Sequence, residues 1–452
     1  MTRGPLAAAA QLAGRRGRVL LDSARDDDGL GRWSFVAAEP RATLIGTGRS
    51  LVELDARGRP VRRFTADPFD AAAAFLAEHD CALGGTFDAD APPEPRVIGY
   101  LGYDLARVVE RMPGGPLQGK DTPDLWLAAY DAVARWPAGA GPDVPPEVVG
   151  RDAAACARLG AWLASARPIA IPPRLGPLVA DDAPGLHVAR VGRVLDYLAA
   201  GDAYQVNLAR RLVARVAAPG DALAVYAALA ERAPAPYGAL IEADGVTVIS
   251  GSPERFLAAL GDGRLETRPI KGTRARGADA AAERAALVAS EKDAAEHLMI
   301  VDLERNDLGR IATPGSVRVD ALAYPVELPA LHHLVSRVSA VPRPEAGAAE
   351  VLRALFPGGS ITGAPKVRAM QIVDELEPAR RGPYCGALGY FGAGGRFDLA
   401  LAIRIGVLAG SELRVHVGGG IVADSDPRAE LAETETKAAG WRAALADLAR
   451  GR

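Results

Sequence analysis

Residues 296–307, E-H-L-M-I-V-D-L-E-R-N-D, are the stretch that decides how this chain folds. Apolar side chains recur in it at helical spacing, so it predicts an amphipathic helix. On that helix Glu296 shares a face with Ile300 and Leu303, at i+4 and i+7, and Asp307 follows at i+11. The pattern therefore draws the Glu296 carboxylate toward the interior.

The start of this helix is marked by Ser290 with Asp293 three residues later, which is the spacing of a capping box. A buried carboxylate needs a cation, hydrogen bonds or a raised pKa. From this helix alone, a structural ion pair of Glu296 with an arginine and a metal site are both open.

A second acidic helix, near the end of the chain, bears on that choice. It is predicted to begin at Asp426 and Pro427, an N-cap followed by proline at the first helical position. Glu430 and Glu433 are three residues apart on it and face the same side. Carboxylates from two helices, completed by substrate and water, suit magnesium. A surface ion pair of Glu433 with Lys437 is the alternative.

The composition favours small-molecule chemistry in a globular chain. Of the 452 residues, 49% are hydrophobic and 24% are charged, which is enough for one large domain or two lobes. A net charge of −3 argues against nucleic acid as a partner, since its binders carry a concentrated basic surface.

The three cysteines, Cys81, Cys156 and Cys385, are far apart and suggest neither a disulfide framework nor a zinc site. No apolar window of about 18 residues occurs, and the N-terminal L-A-A-A-A run is too short for a signal sequence. We expect a soluble cytoplasmic protein with no membrane partner.

Three segments of the chain differ in composition and in their pattern of apolar residues. Residues 1–136 read as strands between Gly, Asp and Pro turns, and residues 137–185 are rich in Pro, Ala, Gly and Asp, as a connector would be. Residues 186–448 alternate helical and strand patterns and hold the acidic helices. We expect two lobes that pack as one unit.

Two glycine-rich segments could bind anions. The loop G-G-S-I-T-G-A-P-K, residues 358–366, opens a predicted helix whose free N–H groups attract negative charge, although it lacks the spacing of a nucleotide P-loop. Residues 418–420 are three glycines after a strand, where the backbone can approach a ligand closely. A tight turn is the alternative for the three glycines.

Four single residues could carry chemistry. Lys271 lies in a predicted loop, where a lysine is either solvated or, when desolvated, a nucleophile. Arg404 ends an apolar strand and needs an anion, from the protein or from a substrate. Glu254 could pair with a neighbouring arginine, and His333 could be a core or capping histidine.

Taken together, these segments resemble the chorismate-utilising enzymes over roughly residues 187–445. The motifs that carry the resemblance are Y-Q-V-N-L, S-P-E-R-F, R-P-I-K-G-T-R, E-K-D-x-x-E-H-L-M-I-V-D-L-E-R-N-D-L-G-R, H-L-V-S, G-S-I-T-G-A-P-K, G-G-G-I-V-A-D-S and E-x-x-E. The N-terminal part more loosely resembles the regulatory lobe of anthranilate and aminodeoxychorismate synthase large subunits. The resemblance implies an α+β fold of two lobes, with antiparallel sheets packed face to face and flanked by helices.

The resemblance also implies chorismate as substrate, Mg²⁺ as cofactor and a role for each matching residue. Glu296 and Glu433 match metal ligands, with Glu430 near the metal through water. Contacts to the substrate are implied for Gln205, Thr273, Ser360, Tyr384, Arg404, Gly418, Gly419 and Gly420. Catalytic roles are implied for Lys271, Glu254 and His333, which match a nucleophile, a general acid and a histidine near the ring.

Two positions indicate the reaction within this family. Isochorismate-forming relatives carry a water-activating lysine where this chain has Gln205, which argues against water as the nucleophile. Anthranilate synthases typically read P-I-A-G-T where this chain has Lys271, and that lysine resembles the one of aminodeoxychorismate synthases. There the amine is thought to attack C2 of chorismate as the C4 hydroxyl leaves, after which ammonia adds at C4. Amination at C2 to anthranilate is the main alternative, and a non-catalytic chorismate sensor is the second.

Partners follow from the same resemblance. No glutaminase-like G-x-C-x-G stretch surrounds a cysteine, so ammonia is expected from a separate glutamine amidotransferase subunit or from free ammonium. Ser23 in L-L-D-S, with Pro236 and Tyr237 in A-P-A-P-Y, resembles segments that bind tryptophan in relatives. A feedback site, a permanently filled site and plain core packing all stay open for these residues.

Overall fold

The computed structural model describes residues 4–24, 28–114, 121–165, 171–275, 279–327 and 331–451, and for Thr273, Ala275 and Leu331 it describes the backbone only. The described residues form eleven α-helices and twenty-four strands. The helices are α1 (Gly4–Gln11), α2 (Pro68–Glu78), α3 (Ala106–Val109), α4 (Ala153–Ala164), α5 (Pro184–Ala199), α6 (Leu223–Arg232), α7 (Ala280–Val288), α8 (Glu291–Gly309), α9 (Ala348–Leu355), α10 (Lys366–Leu376) and α11 (Pro427–Ala449).

The strands divide equally between the two halves of the chain. The first twelve are β1 (Val19–Asp22), β2 (Trp33–Ala37), β3 (Ala42–Thr47), β4 (Ser50–Asp55), β5 (Pro60–Thr65), β6 (Pro95–Leu101), β7 (Leu125–Ala129), β8 (Ala132–Pro137), β9 (Glu147–Gly150), β10 (Arg174–Leu175), β11 (Val179–Ala180) and β12 (Gln205–Ala218). The others are β13 (Tyr237–Ala243), β14 (Val246–Ser252), β15 (Arg255–Ala259), β16 (Leu265–Arg268), β17 (Ile270–Ala275), β18 (Arg318–Glu327), β19 (Leu331–Ala340), β20 (Gly363–Ala364), β21 (Ala387–Gly392), β22 (Phe397–Leu401), β23 (Ile405–Ala409) and β24 (Glu412–Ile421).

These strands form two antiparallel sheets of twelve strands each. The first sheet has the order β10-β12-β24-β23-β14-β13-β1-β2-β8-β9, with β11 and β20 also paired to β12. The second has the order β17-β19-β16-β15-β22-β21-β6-β7-β3-β4-β5, with β18 paired to β19. Each sheet combines strands from the beginning and the end of the chain.

The two sheets pack face to face around a shared apolar core. Val19 and Ile241 of the first sheet lie in one buried cluster with Ile98 and Leu127 of the second. Because side chains alternate along a strand, the next residue of β1, Leu20, faces the opposite side and packs in a cluster with residues of α1, α6 and α11. The predicted α+β fold, with facing antiparallel sheets flanked by helices, is confirmed.

The segment expected to be a connector, residues 137–185, contributes to the folded body. Its strand β9 pairs with β8 at one edge of the first sheet, and β10 and β11 pair with β12. The boundaries proposed for the lobes, 1–136 and 186–448, stay a prediction. In the described part of the chain no helix combines the length and apolarity needed to cross a bilayer.

Helix α8 begins where the sequence predicts. Ser290 is its N-cap, and the Ser290 hydroxyl oxygen accepts a hydrogen bond from the Asp293 N–H at 3.2 Å. Ile300 and Asp307 are buried on the inner face of the helix, and Glu296 is partly buried. The helical period was therefore a correct guide to which side faces inward.

Three local expectations are corrected. Lys271 lies in strand β17, not in a loop, because this segment pairs with β19, which lies far along the chain. Arg404 does not end a strand: it lies between β22 of the second sheet and β23 of the first, with φ of 53°. The glycines at 418–420 do not follow a strand but form the last part of β24.

Candidate active site

Lys271 is placed by an irregularity in its strand. Lys271 lies opposite Leu334 and Thr273 lies opposite His333, and the register of β17 against β19 shifts between the two pairs. Gly272 stands at the shift with φ of +80°, in the left-handed region that glycine adopts readily. A bulge of this kind re-aims the neighbouring side chains. The side chain of Thr273 lies outside the described residues.

The Lys271 amine has acidic and basic neighbours. Burial lowers its pKa most, and the Lys437 ammonium lowers it further. Three carboxylates oppose this, those of Glu296, Glu254 and Glu433. The lowered pKa agrees in direction with the desolvation expected for a nucleophilic lysine, while the contribution of Lys437 was not foreseen.

Glu254 forms a buried acid on one side of Lys271. It lies between β14 and β15, is 5% exposed, and its Oε1 accepts a hydrogen bond from the Ser360 hydroxyl at 2.7 Å. Burial raises the pKa of Glu254 to about 7, against the lowering effects of Ser360 and Lys271. Near neutral pH a substantial fraction of this carboxyl group is therefore protonated. We call Glu254, Ser360 and the groups that hold them the acid end.

Glu296, Glu430 and Glu433 form a more exposed group, which we call the helix end. Burial is the main cause that raises the pKa of Glu296 and of Glu430, and Glu433 is close enough to raise both further. Glu430 also accepts a hydrogen bond from the Ser425 hydroxyl at 2.6 Å. Glu433 of α11 is therefore near enough to Glu296 of α8 to affect its pKa, and the shared metal site predicted for these carboxylates stays a prediction.

Lys437 is the cation that Glu433 contacts in this structure. Its Nζ lies 2.7 Å from Glu433 Oε1 and donates to the Gly418 carbonyl oxygen at 2.6 Å. Within the described ranges, no set of three or more His, Cys, Asp or Glu residues is arranged to hold a metal ion. Carboxylate oxygens completed by water and substrate are ligands that Mg²⁺ accepts, so Glu296, Glu430 and Glu433 are chemically suited to that ion, while Glu433 pairs with Lys437 in this structure.

Close packing explains why residues 418–420 of β24 are glycines. A Cβ at Gly418 would lie 2.5 Å from the Leu208 carbonyl oxygen, and one at Gly419 would lie 3.0 Å from Glu430 Oε2. A Cβ at Gly420 would lie 3.0 Å from the Gln205 side-chain amide carbon. The glycines therefore bring β24 close to β12 and to the helix end.

Gln205 is fully buried at the start of β12. No described group forms a hydrogen bond with its side-chain Oε1 or Nε2. Buried amides are normally satisfied, so this one has hydrogen-bonding capacity to spare beside Gly420.

Arg404 and His333 lie near each other beside the acid end. No described residue forms an ion pair or hydrogen bond with the partly buried Arg404 guanidinium; burial lowers its pKa, and Glu254 opposes that effect. Burial, followed by the Arg404 charge, lowers the pKa of His333 to about 4, so its ring is neutral at pH 7. A desolvated guanidinium is suited to a carboxylate.

Tyr384 is buried in a different packing environment. Its ring stacks on His416 with centroids 5.2 Å apart, and the Arg381 guanidinium lies 5.8 Å from its centroid. The adjacent Cys385 is close enough for Glu254 to raise its pKa, although burial is the main cause. Within the described residues no hydrogen bond joins Tyr384 to Lys271, Glu254 or Arg404, so its substrate role stays a prediction.

Glu304 is a residue that the helical pattern could have singled out. It lies four residues after Ile300 and eight after Glu296, on the inner face of α8, and it is 4% exposed. Its Oε1 accepts a hydrogen bond from the Gly359 N–H at 3.0 Å. Burial, followed by the neighbouring Asp307, raises the pKa of Glu304.

The residues matched to a tryptophan site line one cavity. Ser23, Pro236 and Tyr237 contribute to the wall of a space of about 380 Å³ between the two sheets. The Ser23 hydroxyl donates to the Trp33 carbonyl oxygen at 2.7 Å, and the Tyr237 hydroxyl donates to the Asp398 carboxylate at 3.2 Å. The structure therefore brings these three residues together at a site distinct from Lys271.

Comparison with known proteins agrees with this arrangement. The chain belongs to the chorismate-binding enzymes: the description of that family matches residues 27–442. Enzymes of this family are generally magnesium-dependent.

Individual relatives span nearly the whole chain. Aminodeoxychorismate synthase component 1 of Klebsiella aerogenes is 40% identical over 430 residues, covering 93% of this chain and 91% of the relative. Anthranilate synthase component 1 of Pseudomonas putida is 36% identical over 461 residues, covering 96% of this chain and 91% of the relative. The crystal structure of anthranilate synthase component I from Streptococcus pneumoniae has a TM-score of 0.77 at 30% identity, covering 91% of this chain and 92% of that one.

Proposed function

We propose that this chain is component 1 of an aminodeoxychorismate synthase, which aminates chorismate at C4. The observation that carries the proposal is the Lys271 amine, partly buried and with a lowered pKa, between the acid end and the helix end. A neutral amine in that position can act as a nucleophile. The relative from Klebsiella aerogenes, which carries the same name, supports the assignment.

In the proposed reaction the Lys271 lone pair forms a bond to C2 of chorismate. Both ring double bonds shift, from C1=C2 and C5=C6 to C1=C6 and C4=C5, the C4–O bond breaks, and Glu254 gives its proton to the oxygen, which leaves as water. Ammonia then adds at C4, both double bonds shift back, and the C2–N bond breaks to release the neutral Lys271 amine. The ammonium group formed at C4 returns a proton to Glu254. The net change is one ammonia consumed and one water released. A carboxyl group with a pKa of about 7 suits the proton transfer.

The carboxylates of chorismate are held by two parts of the site. Arg404 supplies a desolvated cation near Glu254. The glycine backbone of residues 418–420 lets a substrate carboxylate approach closely. Glu296 and Glu433 would hold Mg²⁺, with Glu430 near it through water. When bound, the ion supplies a positive charge for a substrate carboxylate. Ser360 and Thr273 supply hydroxyl groups, and neutral His333 lies near the ring.

Amination at C2, as in anthranilate synthases, is the rival reaction. It has support from relatives only slightly less similar, such as the one from Pseudomonas putida. Lys271 favours C4, because attack by its amine at C2 blocks that carbon while ammonia adds elsewhere. Gln205, which has no basic group, argues against activated water.

Ammonia is supplied by a partner in this proposal. The designation component 1 of the relatives from Klebsiella aerogenes and Escherichia coli supports a second component, a glutamine amidotransferase. The reaction belongs to 4-aminobenzoate and folate synthesis, in the cytoplasm. The free thiols of Cys81, Cys156 and Cys385 fit that reducing compartment.

Product analysis tests the assignment directly. The chain is incubated with chorismate, Mg²⁺ and ammonium, and the products are identified by mass spectrometry. We expect 4-amino-4-deoxychorismate, and adding a glutamine amidotransferase component with glutamine should replace ammonium. Anthranilate as the main product would refute amination at C4, and unconsumed chorismate would favour a non-catalytic binding protein.

We also propose that the cavity lined by Ser23, Pro236 and Tyr237 binds tryptophan. The volume of about 380 Å³ and the mixture of Trp33, Asp398 and backbone groups around it suit an aromatic amino acid. L-tryptophan should raise the thermal unfolding midpoint of the wild type, and Ser23→Trp, which fills the cavity, should abolish that increase. No increase in protein freed of bound amino acids by refolding would refute it.

A further inference from the structure

The acid end contains more carboxylates than the proposed reaction uses. Glu304 and Asp307 of α8 lie in the interior, and Glu254 is near enough to affect the pKa of Glu304. Lys366 of α10 pairs with Asp307. The hydrogen-bond partner of Glu304 in the described structure is the Gly359 N–H. Glu304 is thus a buried acid that holds a loop by a hydrogen bond, with the Lys366 ammonium nearby.

That loop leads directly to the general acid. Gly359, Ser360 and Ile361 form a single 3₁₀ turn. The Glu304 carboxylate holds the first residue of the turn through its N–H at 3.0 Å, and the hydroxyl of the second donates to Glu254 at 2.7 Å. Two hydrogen bonds and one peptide unit therefore connect helix α8 to Glu254.

A second contact holds the same loop against α8. The Lys366 ammonium donates both to Asp307 and to the Pro357 carbonyl oxygen, the latter at 2.8 Å. The fit is close, because a Cβ on Gly359 would lie 2.9 Å from Glu304 Oε1 and 3.0 Å from Leu303. The turn therefore rests directly on the inner face of the helix.

We propose that Glu304 is a positioning residue: through the Gly359 N–H it holds the turn that presents the Ser360 hydroxyl to Glu254. The inference deepens the proposed function, in which Glu254 protonates the leaving hydroxyl. The charged groups that face Glu304 are Asp307 on its own helix, Lys366 on α10 and Glu254 between β14 and β15. The Ser360 hydrogen bond favours the ionised form of Glu254, so loss of the turn that presents Ser360 should raise the pKa of Glu254.

Two substitutions test the hydrogen bond to the turn. Glu304→Gln keeps an acceptor for the Gly359 N–H, and Glu304→Leu removes it. The matched controls are Asp302→Asn and Asp302→Leu, because Asp302 is an acid of the same helix whose side chain is 74% exposed. For every variant, kcat and KM for chorismate are measured from pH 5.5 to 9 with saturating Mg²⁺ and ammonium, alongside the thermal unfolding midpoint.

The two Glu304 variants should differ from each other. Glu304→Gln should keep the alkaline limb of the kcat/KM profile close to that of the wild type, because its side-chain oxygen still accepts from the Gly359 N–H. Glu304→Leu should move that limb to higher pH by about half a unit to one unit, because Glu254 loses the Ser360 hydrogen bond that favours its ionised form. Glu304→Leu should lower kcat by about 10–10²-fold with little change in KM, because the Ser360 turn loses its anchor. Ser360→Ala should then add little in the Glu304→Leu background.

The proposal is overturned if Glu304→Leu lowers the unfolding midpoint but keeps the alkaline limb of the wild type, since that is a structural role only. If Glu304→Leu does not fold, Glu304→Ala, which also lacks the acceptor, is measured in its place by the same criterion. The rates are read as chorismate consumed relative to wild type, whatever the product. A wild type that forms anthranilate would therefore refute the proposed function and leave the test of Glu304 intact.

Discussion

The helix end and the acid end of the site use the same residue type in opposite surroundings. The side chains of Glu296 and Glu433 project from helices and are 25% and 52% exposed, whereas Glu254 and Glu304 are buried. A carboxylate in contact with solvent can exchange its cation with water, while a buried one tends to retain a proton. Burial therefore separates a group suited to Mg²⁺ from a group suited to proton transfer, with Lys271 between them.

The largest effect is expected at Lys271, which lies between the acid end and the helix end. Lys271→Ala should lower formation of aminodeoxychorismate by about 10³-fold or more, because the nucleophile is lost. Lys271→Arg keeps the charge but not a nucleophilic amine, and it should lose a comparable amount. Both are assayed with ammonium and with the glutaminase component. Rates like that of the wild type in both variants would exclude a covalent role.

The acid end should control the response to pH. Glu254 donates its proton, so activity should fall as the pH rises through its pKa of about 7. Glu254→Gln should lower kcat by about 10²–10³-fold and remove this alkaline limb. The check is the kcat/KM profile of wild type and variant. An alkaline limb that survives in the variant would assign it to another group.

The helix end should control the response to magnesium. Glu296→Gln should weaken activation by Mg²⁺ by about 10²-fold, because a ligand oxygen is replaced by a neutral amide. Glu291→Gln is the matched control, since Glu291 is an exposed acid in the first turn of the same helix. Magnesium titrations of initial rate compare the two. Equal activation constants for Glu296→Gln and wild type would place the metal elsewhere.

The smallest effect is expected at the N-cap of α8, the helix that carries Glu296 and Glu304. Ser290→Ala removes the acceptor for the Asp293 N–H and should lower the free energy of unfolding by about 1 kcal/mol. Urea denaturation measures the loss. Because Glu304 lies more than three turns from the cap, the alkaline limb should stay in place; a shifted limb would show that the cap orders the whole helix.

What could be predicted from sequence was local. The N-cap Ser290, the inner face of α8 and the N-cap Asp426 follow from short-range spacing, and the structure confirms all three. The resemblance in the motifs gave the fold and the family, which the comparisons confirm. The roles of the individual site residues stay predictions.

What could not be predicted depends on contacts between distant segments. The strand that holds Lys271 forms because β19 pairs with it some sixty residues further along. The contact between Glu254 and Ser360 joins residues 106 positions apart. Arg404 was assigned to a continuous apolar strand, because nothing in the run of apolar residues reveals that the chain passes there from one sheet to the other.

The strand order of the first sheet has a consequence for how the chain reaches its native state. Strands β23 and β24 are synthesised after β12 and β14 and lie between them in that sheet. Until β23 and β24 leave the ribosome, β12 and β14 each lack one neighbour and expose an unpaired backbone edge. Closure of the sheet must therefore wait until residue 421 has been synthesised, and a nascent chain stalled before residue 405 should need a chaperone to stay free of aggregation.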